Sequence, residues 1–312
     1  MIKTAVLGAN PAWQKILVFK KFSCGNVNRA VSAEEFASGK GVNFCRACSI
    51  HGTATPILLQ FAGGENGQKL VSKIESSGIL HKTSVTRQNT RCCITILDRE
   101  NNSTTECIEP SYAASEDEIN TLLAMAEEIM PECRAAAICG TLPGTTPAVV
   151  YTKFAEIAKK HGVPLLCDAC KGVEGIFKTG CTTDLKINLE ELQMLTGSES
   201  PLEAVKKLFS NYPSIRTAAI TDGAKNAYAS DGKKFITYQL PELQNIVSTL
   251  GCGDTASAVY SSCMAENIPF DTAFKKALAA ASANCLSEIC GDYNTADAAR
   301  IEENITTSER MI

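Results

Sequence analysis

Residues 135–168 read AAAICGTLPGTTPAVVYTKFAEIAKKHGVPLLCD, and the order of periodicities within them decides the fold class. Ala135–Cys139 is a short unbroken apolar run, as a strand buried on both faces requires. Gly140 to Thr146 is dense in Gly, Pro and Thr, which is loop composition. Pro147–His161 spaces its apolar residues at the helical period, and Pro164–Asp168 is apolar again. Strand, helix and strand in that order make a βαβ unit, which pairs its strands in parallel.

The same rhythm continues in both directions. Upstream lie strand-like Ile2–Leu7 and Pro56–Ala62 and the helix Ser115–Met130. Downstream come strands Asp184–Ile187 and Thr217–Thr221 and helices Leu189–Thr196 and Pro201–Ser210. A hairpin over Asn226–Tyr238 turns at Ser230-Asp231-Gly232, and two long helices follow, Thr255–Glu266 and Asp271–Cys290. The expectation is an α/β fold, a mostly parallel sheet with helices on both faces. In such sheets ligands bind beyond the carboxyl ends of the strands. Two stretches break the rhythm, Ala12–Phe36 and Arg91–Glu109; both read as strands and predict a small separate β-layer. The tail after Asp297 is polar and is expected to fray. There is no internal repeat and no low-complexity segment.

Composition narrows the function. At 312 residues the chain fits one large domain with an appendage, taking roughly 150 residues per domain as a guide. Its 30 Lys+Arg against 34 Asp+Glu leave no basic surplus for a nucleic-acid backbone, so that partner is not expected. No apolar run approaches the roughly 18 residues of a membrane span. The apolar stretch Ala5–Ala9 is too short for a signal peptide, so a cytoplasmic location is expected. Fifteen cysteines is an odd number in a chain too large for a disulfide scaffold, and reduced thiols used as small apolar fillers are the reading. Two C-x-x-C pairs, Cys45/Cys48 and Cys167/Cys170, leave a zinc site as the alternative.

Four segments carry chemistry. Ser248 to Thr255 reads STLGCGDT and runs into a helix. Gly251 and Gly253, two apart, allow close backbone approach, and free N–H groups at the helix start favour an anion. Asp254 at the same place would repel a phosphate unless it serves as a general base. Two alternatives are a dinucleotide fingerprint, Gly251-x-Gly253-x-x-Ala256, displaced to the last quarter of the chain, and a plain turn with an Asp cap. Ala37 to Asn43 reads ASGKGVN; Gly39, Lys40 and Gly41 place an ammonium among exposed amides, without the Walker pattern. Cys139 to Gly144, with Thr141, follows a strand end. In Lys186-Ile187-Asn188-Leu189-Glu190-Glu191, Asn188 and Glu191 share a helical face. They can hold the water shell of Mg²⁺ or simply form a capping box.

In order, these segments resemble the PfkB/ribokinase family of carbohydrate kinases, in particular its 1-phosphofructokinase and tagatose-6-phosphate kinase branch. The resemblance runs from Asn10-Pro11-Ala12 to the helix carrying Asn284. It implies a ribokinase-like three-layer α/β/α domain over residues 1–312, with a discontinuous β-lid from about 12–36 and 91–109 that forms a homodimer. It also implies ATP and Mg²⁺ as cofactors, and transfer of the γ-phosphoryl to a ketohexose phosphate, fructose 1-phosphate or tagatose 6-phosphate. By the same resemblance Asp254 is the base and Gly251, Cys252 and Gly253 the anion hole. Gln14, Gly39, Lys40, Asn43, Arg91 and Thr141 meet the substrate. Lys186, Asn188, Glu191, Thr221, Gly223 and Asn284 line the nucleotide, Glu191 also serving Mg²⁺ through water. Gln14 departs from the family's Asp, the middle Pro of Lys186-Ile187-Asn188 is absent, Asn226 replaces a Gly, and Glu109-Pro110-Ser111 replaces Glu-Pro-Gly. A kinase for an unphosphorylated sugar or nucleoside, or a sugar-phosphate-binding protein without turnover, are the alternatives.

Overall fold

The computed structural model describes residues 2–224 and 226–312. The first third contains β1 (Ile2–Leu7), β2 (Ala12–Phe19), β3 (Ser32–Ser38), α1 (Lys40–His51), β4 (Ala54–Gly63), α2 (Gly64–Ser76) and β5 (Leu80–Thr86). Next come β6 (Cys92–Asp98), β7 (Ser103–Ile108), α3 (Glu116–Ile129), β8 (Ala135–Cys139), α4 (Val149–Lys160), β9 (Leu165–Asp168) and α5 (Glu174–Lys178). Then follow β10 (Thr183–Asn188), α6 (Leu189–Thr196), α7 (Pro201–Asn211), β11 (Ile215–Asp222), β12 (Asn226–Ser230) and β13 (Lys234–Gln239). The chain closes with α8 (Cys252–Ala265), α9 (Phe270–Asn284), α10 (Thr295–Asn304) and β14 (Thr306–Met311).

Among the described residues ten strands form one sheet, ordered β14-β13-β12-β11-β10-β9-β8-β1-β4-β5. From β11 to β5 every neighbouring pair is parallel, and β12, β13 and β14 add antiparallel at the other edge. Alternate residues of each central strand feed opposite layers. Ala5, Leu7, Leu59 and Ile138 pack with α3, α4, α6 and α7, while Val6, Leu58 and Ala137 pack with α1, α2, α8 and α9. That is a three-layer α/β/α sandwich, and apolar residues on both strand faces are what made it legible. Caps fix the helix starts. Ser115 and Glu118 close a capping box on α3, and Asn294 accepts from the Ala296 and Asp297 N–H groups at the start of α10.

The two stretches that broke the rhythm form a separate four-stranded sheet, β3-β2-β6-β7, with β2 and β6 parallel. A small apolar cluster of Ile16, Phe36 and Leu97 holds it. Among the described residues no helix is long and apolar enough to cross a membrane.

Two local expectations fail. The tail does not fray. Ile301 and Ile305 are buried and anchor α10, after which β14 pairs with β13 from Lys234↔Met311 to Gln239↔Thr306. All six residues of β14 are exposed, so backbone pairing alone makes it a strand, and no side-chain pattern announces it. The last long helix stops at Asn284 instead of running to Cys290. The buried Asn284 amide donates to the Ile289 and Asp292 carbonyls and its Oδ1 accepts from Gly291 N–H, which folds residues 285–292 into a loop.

Candidate active site

Strand order places β1 between β8 and β4, so connections leave in opposite directions there and open a crevice at the carboxyl ends. Helix α8 begins at that crevice. Gly251 precedes it at φ +79°, and no side chain caps the first amides. A Cβ on Gly251 would stand 2.7 Å from Cys290 Cβ, so the position requires glycine for its dihedral and for space. A Cβ on Gly253 would stand 3.0 Å from Lys186 Nζ, which puts that buried ammonium at the mouth of the helix.

Asp254, one turn in, is 6% exposed and accepts a hydrogen bond from Asn43 Nδ2 at 2.8 Å. Burial pushes its carboxyl up to about 6, and the neighbouring Asp168 adds to the rise; Lys40, Asn43 and Lys186 oppose it. Asp168 ends β9, and Ser257 Oγ donates to its Oδ2 at 2.7 Å while Lys40 Nζ lies 3.5 Å from Oδ1. Burial also pushes Asp168 upward, but Lys186, Lys40 and the Ser257 hydroxyl outweigh it and hold the group below the ordinary range. Asp168 in turn raises Lys40 above the usual lysine range. Two carboxylates are thus driven apart, one ionised and one raised to about 6, an arrangement chemically suited to proton transfer.

The start of α1 forms the facing wall. Gly39 has φ +106°, and a Cβ there would stand 2.7 Å from Pro11 Cα. Gly41 lies against Gly8 so closely that a Cβ would meet its Cα at 2.4 Å, which brings α1 down onto the end of β1. The stem of Lys40 crosses Gly140. The Asn10–Pro11 loop gathers the remaining expected substrate residues. Arg91 Nη2 donates to Asn10 O at 3.1 Å and its Nε to Pro11 O at 3.4 Å, while Asn10 Nδ2 reaches Thr141 Oγ1 and Ser111 Oγ at 3.3 Å each. Gly39, Lys40, Asn43, Arg91 and Thr141 therefore border one crevice. Gln14 sits beside it on β2, 7% exposed, donating to Thr95 of β6 at 2.8 Å.

On the other side, Lys186 and Asn188 lie at the end of β10, and Asn188 pairs in register with Thr221 of β11. Gly223, at φ +58°, follows in the next turn. Asn188 and Glu191 form the capping box that starts α6, Asn188 Oδ1 accepting from Glu191 N–H at 2.8 Å and Glu191 Oε2 from Asn188 N–H at 3.0 Å. Burial and then Glu191 raise the Cys170 thiol, so the carboxylate also faces the crevice beside β9. Asn284 is placed differently. It is fully buried, its oxygen accepts from Thr255 Oγ1 at 2.9 Å and its amide holds the 285–292 loop, so its side chain braces the turn instead of opening onto a ligand.

Among the described residues no three acidic, His or Cys side chains converge as a metal cage. The Asp168 and Glu191 carboxylates, hard oxygen donors already engaged by Ser257, Lys40 and Asn188, suit at most a hard cation that keeps waters and phosphate oxygens as most of its ligands. The C-x-x-C pairs sit in different layers, Cys45 and Cys48 with α1 and Cys167 across the sheet.

Sequence reasoning missed Asp168, Asn10 and Ser257. Asp168 carried a usable signal, a charged residue closing an apolar strand at the ligand-binding end of a parallel sheet, but it stood inside a C-x-x-C that drew the reading toward sulfur.

A family model described as pfkB family carbohydrate kinase matches residues 14–296. Among solved structures, phosphofructokinase-2 of Escherichia coli in complex with fructose-6-phosphate is 21% identical. It covers 97% of this chain and 99% of its own, with a TM-score of 0.87. A tetrameric inhibited form of that enzyme gives 21% identity, the same coverage and a TM-score of 0.86. A Thermotoga maritima protein described as "Possible 1-phosphofructokinase" is 17% identical, with 99% of each chain covered and a TM-score of 0.87. At these identities the structures establish the fold.

Proposed function

This chain is a member of the pfkB family of carbohydrate kinases, and we propose that it phosphorylates a ketohexose phosphate, fructose 1-phosphate or tagatose 6-phosphate, at the expense of ATP. The observation that carries the reading is Asp254, a buried carboxyl poised near pH 6 at the uncapped start of α8, held by Asn43. In this reading the whole chain is one kinase domain and the β3-β2-β6-β7 sheet is its lid. The acceptor hydroxyl lies against Asp254, which takes its proton as the oxygen attacks the γ-phosphorus. The amides of Gly251, Cys252 and Gly253, with Lys186 beside them, stabilise the charge that spreads over the transferred phosphoryl.

Arg91 and Lys40 hold the phosphate already on the sugar, and Gln14 reads the sugar itself. Lys186, Asn188, Thr221 and Gly223 border the nucleotide. Asp168 and Glu191 would hold the water shell of Mg²⁺, which would supply neutralising charge beside the phosphates. Val27, Val31 and Ile108 expose 83%, 58% and 57% of their surface around the outer sheet, which supports a homodimer formed through it. A coupled ADP-release screen over hexoses, pentoses and their phosphates tests the assignment. Turnover confined to ketohexose phosphates is expected; faster turnover of an unphosphorylated sugar or nucleoside would replace it.

A further inference from the structure

Fifteen free cysteines are present, and one pair is placed unlike the rest. Cys252 Sγ and Cys285 Sγ are 3.3 Å apart, the only thiol–thiol hydrogen bond among the described residues. Closing that gap to a bond of about 2.05 Å requires a shift of little more than 1 Å. Both residues are half-buried, so a small solute reaches them while the neighbouring Cys290 is shut away. Cys252 is the first residue of α8, between the two glycines of the anion-binding turn. Cys285 follows α9, and its carbonyl accepts from both Val247 N–H and Ser248 N–H, at 2.8 and 3.2 Å. The pair therefore joins the two chain segments that frame the turn.

We propose that Cys252 and Cys285 form a reversible disulfide with hydrogen peroxide as oxidant, and that this bond disables the anion-binding turn. The thiol–thiol hydrogen bond lowers Cys285 and raises Cys252, so Cys285 ionises first. Its thiolate attacks the peroxide; an S–O bond forms, the O–O bond breaks, and the departing hydroxide takes up a proton to leave as water. Cys252 sulfur then attacks the resulting sulfenic sulfur. The S–S bond forms, the S–O bond breaks, and the second hydroxide takes up the Cys252 proton. Two thiols lose two electrons and one peroxide becomes two waters.

The turn cannot absorb this movement. Gly251 already lies against Cys290 and Gly291 with no room for a methyl group, and Asn284 ties Thr255 to the same loop. Drawing Cys252 toward Cys285 therefore turns the first amides of α8 away from their common focus. The effect on activity rests on the kinase reading; the bond itself does not.

The test treats the reduced full-length protein with stoichiometric hydrogen peroxide and maps crosslinked peptides by mass spectrometry, with phosphoryl transfer followed in parallel. The expected result is a Cys252–Cys285 crosslink ahead of any other, a rate loss of about 100-fold, the scale of losing aligned transition-state donors, and full recovery with dithiothreitol. Cys285→Ser should keep the untreated rate and become resistant to peroxide. A different first crosslink, or equal peroxide sensitivity in Cys285→Ser, overturns the pairing. A complete crosslink with an unchanged rate overturns the effect on the turn. Were the untreated protein inactive on every sugar, the kinase reading would fail while the crosslink map still decided the disulfide.

Discussion

Replacing Asp254 with Asn should inactivate the protein and stabilise it at once. The carboxyl is buried and shifted from 3.8 to about 6. At roughly 1.4 kcal/mol per pH unit, that difference means the folded chain sacrifices about 3 kcal/mol to hold Asp254 ionised at neutral pH. The sign follows from the raised value. Protonated Asp254 favours the folded state, a contribution fully present below about pH 4 and lost as pH rises through about 6. Asp254→Asn keeps the shape, never ionises, and can still accept from Asn43 through its amide oxygen. Denaturant unfolding at pH 8 should therefore find the variant more stable by about 2–3 kcal/mol, with the advantage vanishing between pH 6 and pH 4. Over the same series kcat should be lower by roughly 10²–10⁴-fold, as for loss of a general base. A variant that is less stable at pH 8, or that keeps more than half of kcat, refutes the reasoning.

Other outcomes follow from the same geometry. Lys40→Ala and Arg91→Ala should raise KM for the phosphorylated sugar about ten- to a hundred-fold and leave KM for ATP near its wild-type value, because each loses a charge-assisted hydrogen bond. Lys40 also lowers Asp254, so Lys40→Ala should move the acid limb of the pH–rate profile upward from its wild-type position near pH 6. Gln14→Asp should shift kcat/KM toward fructose 1-phosphate or tagatose 6-phosphate across a sugar-phosphate panel, since Thr95 can reverse its hydroxyl and leave carboxylate oxygens for sugar hydroxyls; an unchanged rank order would remove Gln14 from recognition. Gly251→Ala should lower both stability, by about 1–3 kcal/mol, and kcat, because its methyl group meets Cys290 while the residue is held at φ +79°; unfolding and rate measurements together check it.

The central sheet was readable because its strands are apolar on both faces and its helices are not. The turn at Gly251 to Asp254 was readable for a related reason, since two glycines just ahead of a carboxylate have few purposes at a helix start. Asn188 and Glu191 satisfied two readings with one pattern, and the capping box they form leaves Glu191 facing the crevice as well. What stayed hidden depends on long-range contacts. β14 exists only because β13 offers an unpaired edge, and the end of α9 is set by where Asn284 finds carbonyls. Asp168 gains its character from Lys40, Lys186 and Ser257, residues brought to it from three other parts of the chain.

The most direct test follows ³¹P resonances during a reaction of the reduced protein with ATP and Mg²⁺, using fructose 1-phosphate and tagatose 6-phosphate in separate samples. The account predicts one new phosphomonoester on the sugar for each ADP formed with at least one of them, and none with Asp254→Asn on the same timescale. ADP appearing with inorganic phosphate alone, or transfer that persists undiminished in the variant, would contradict it.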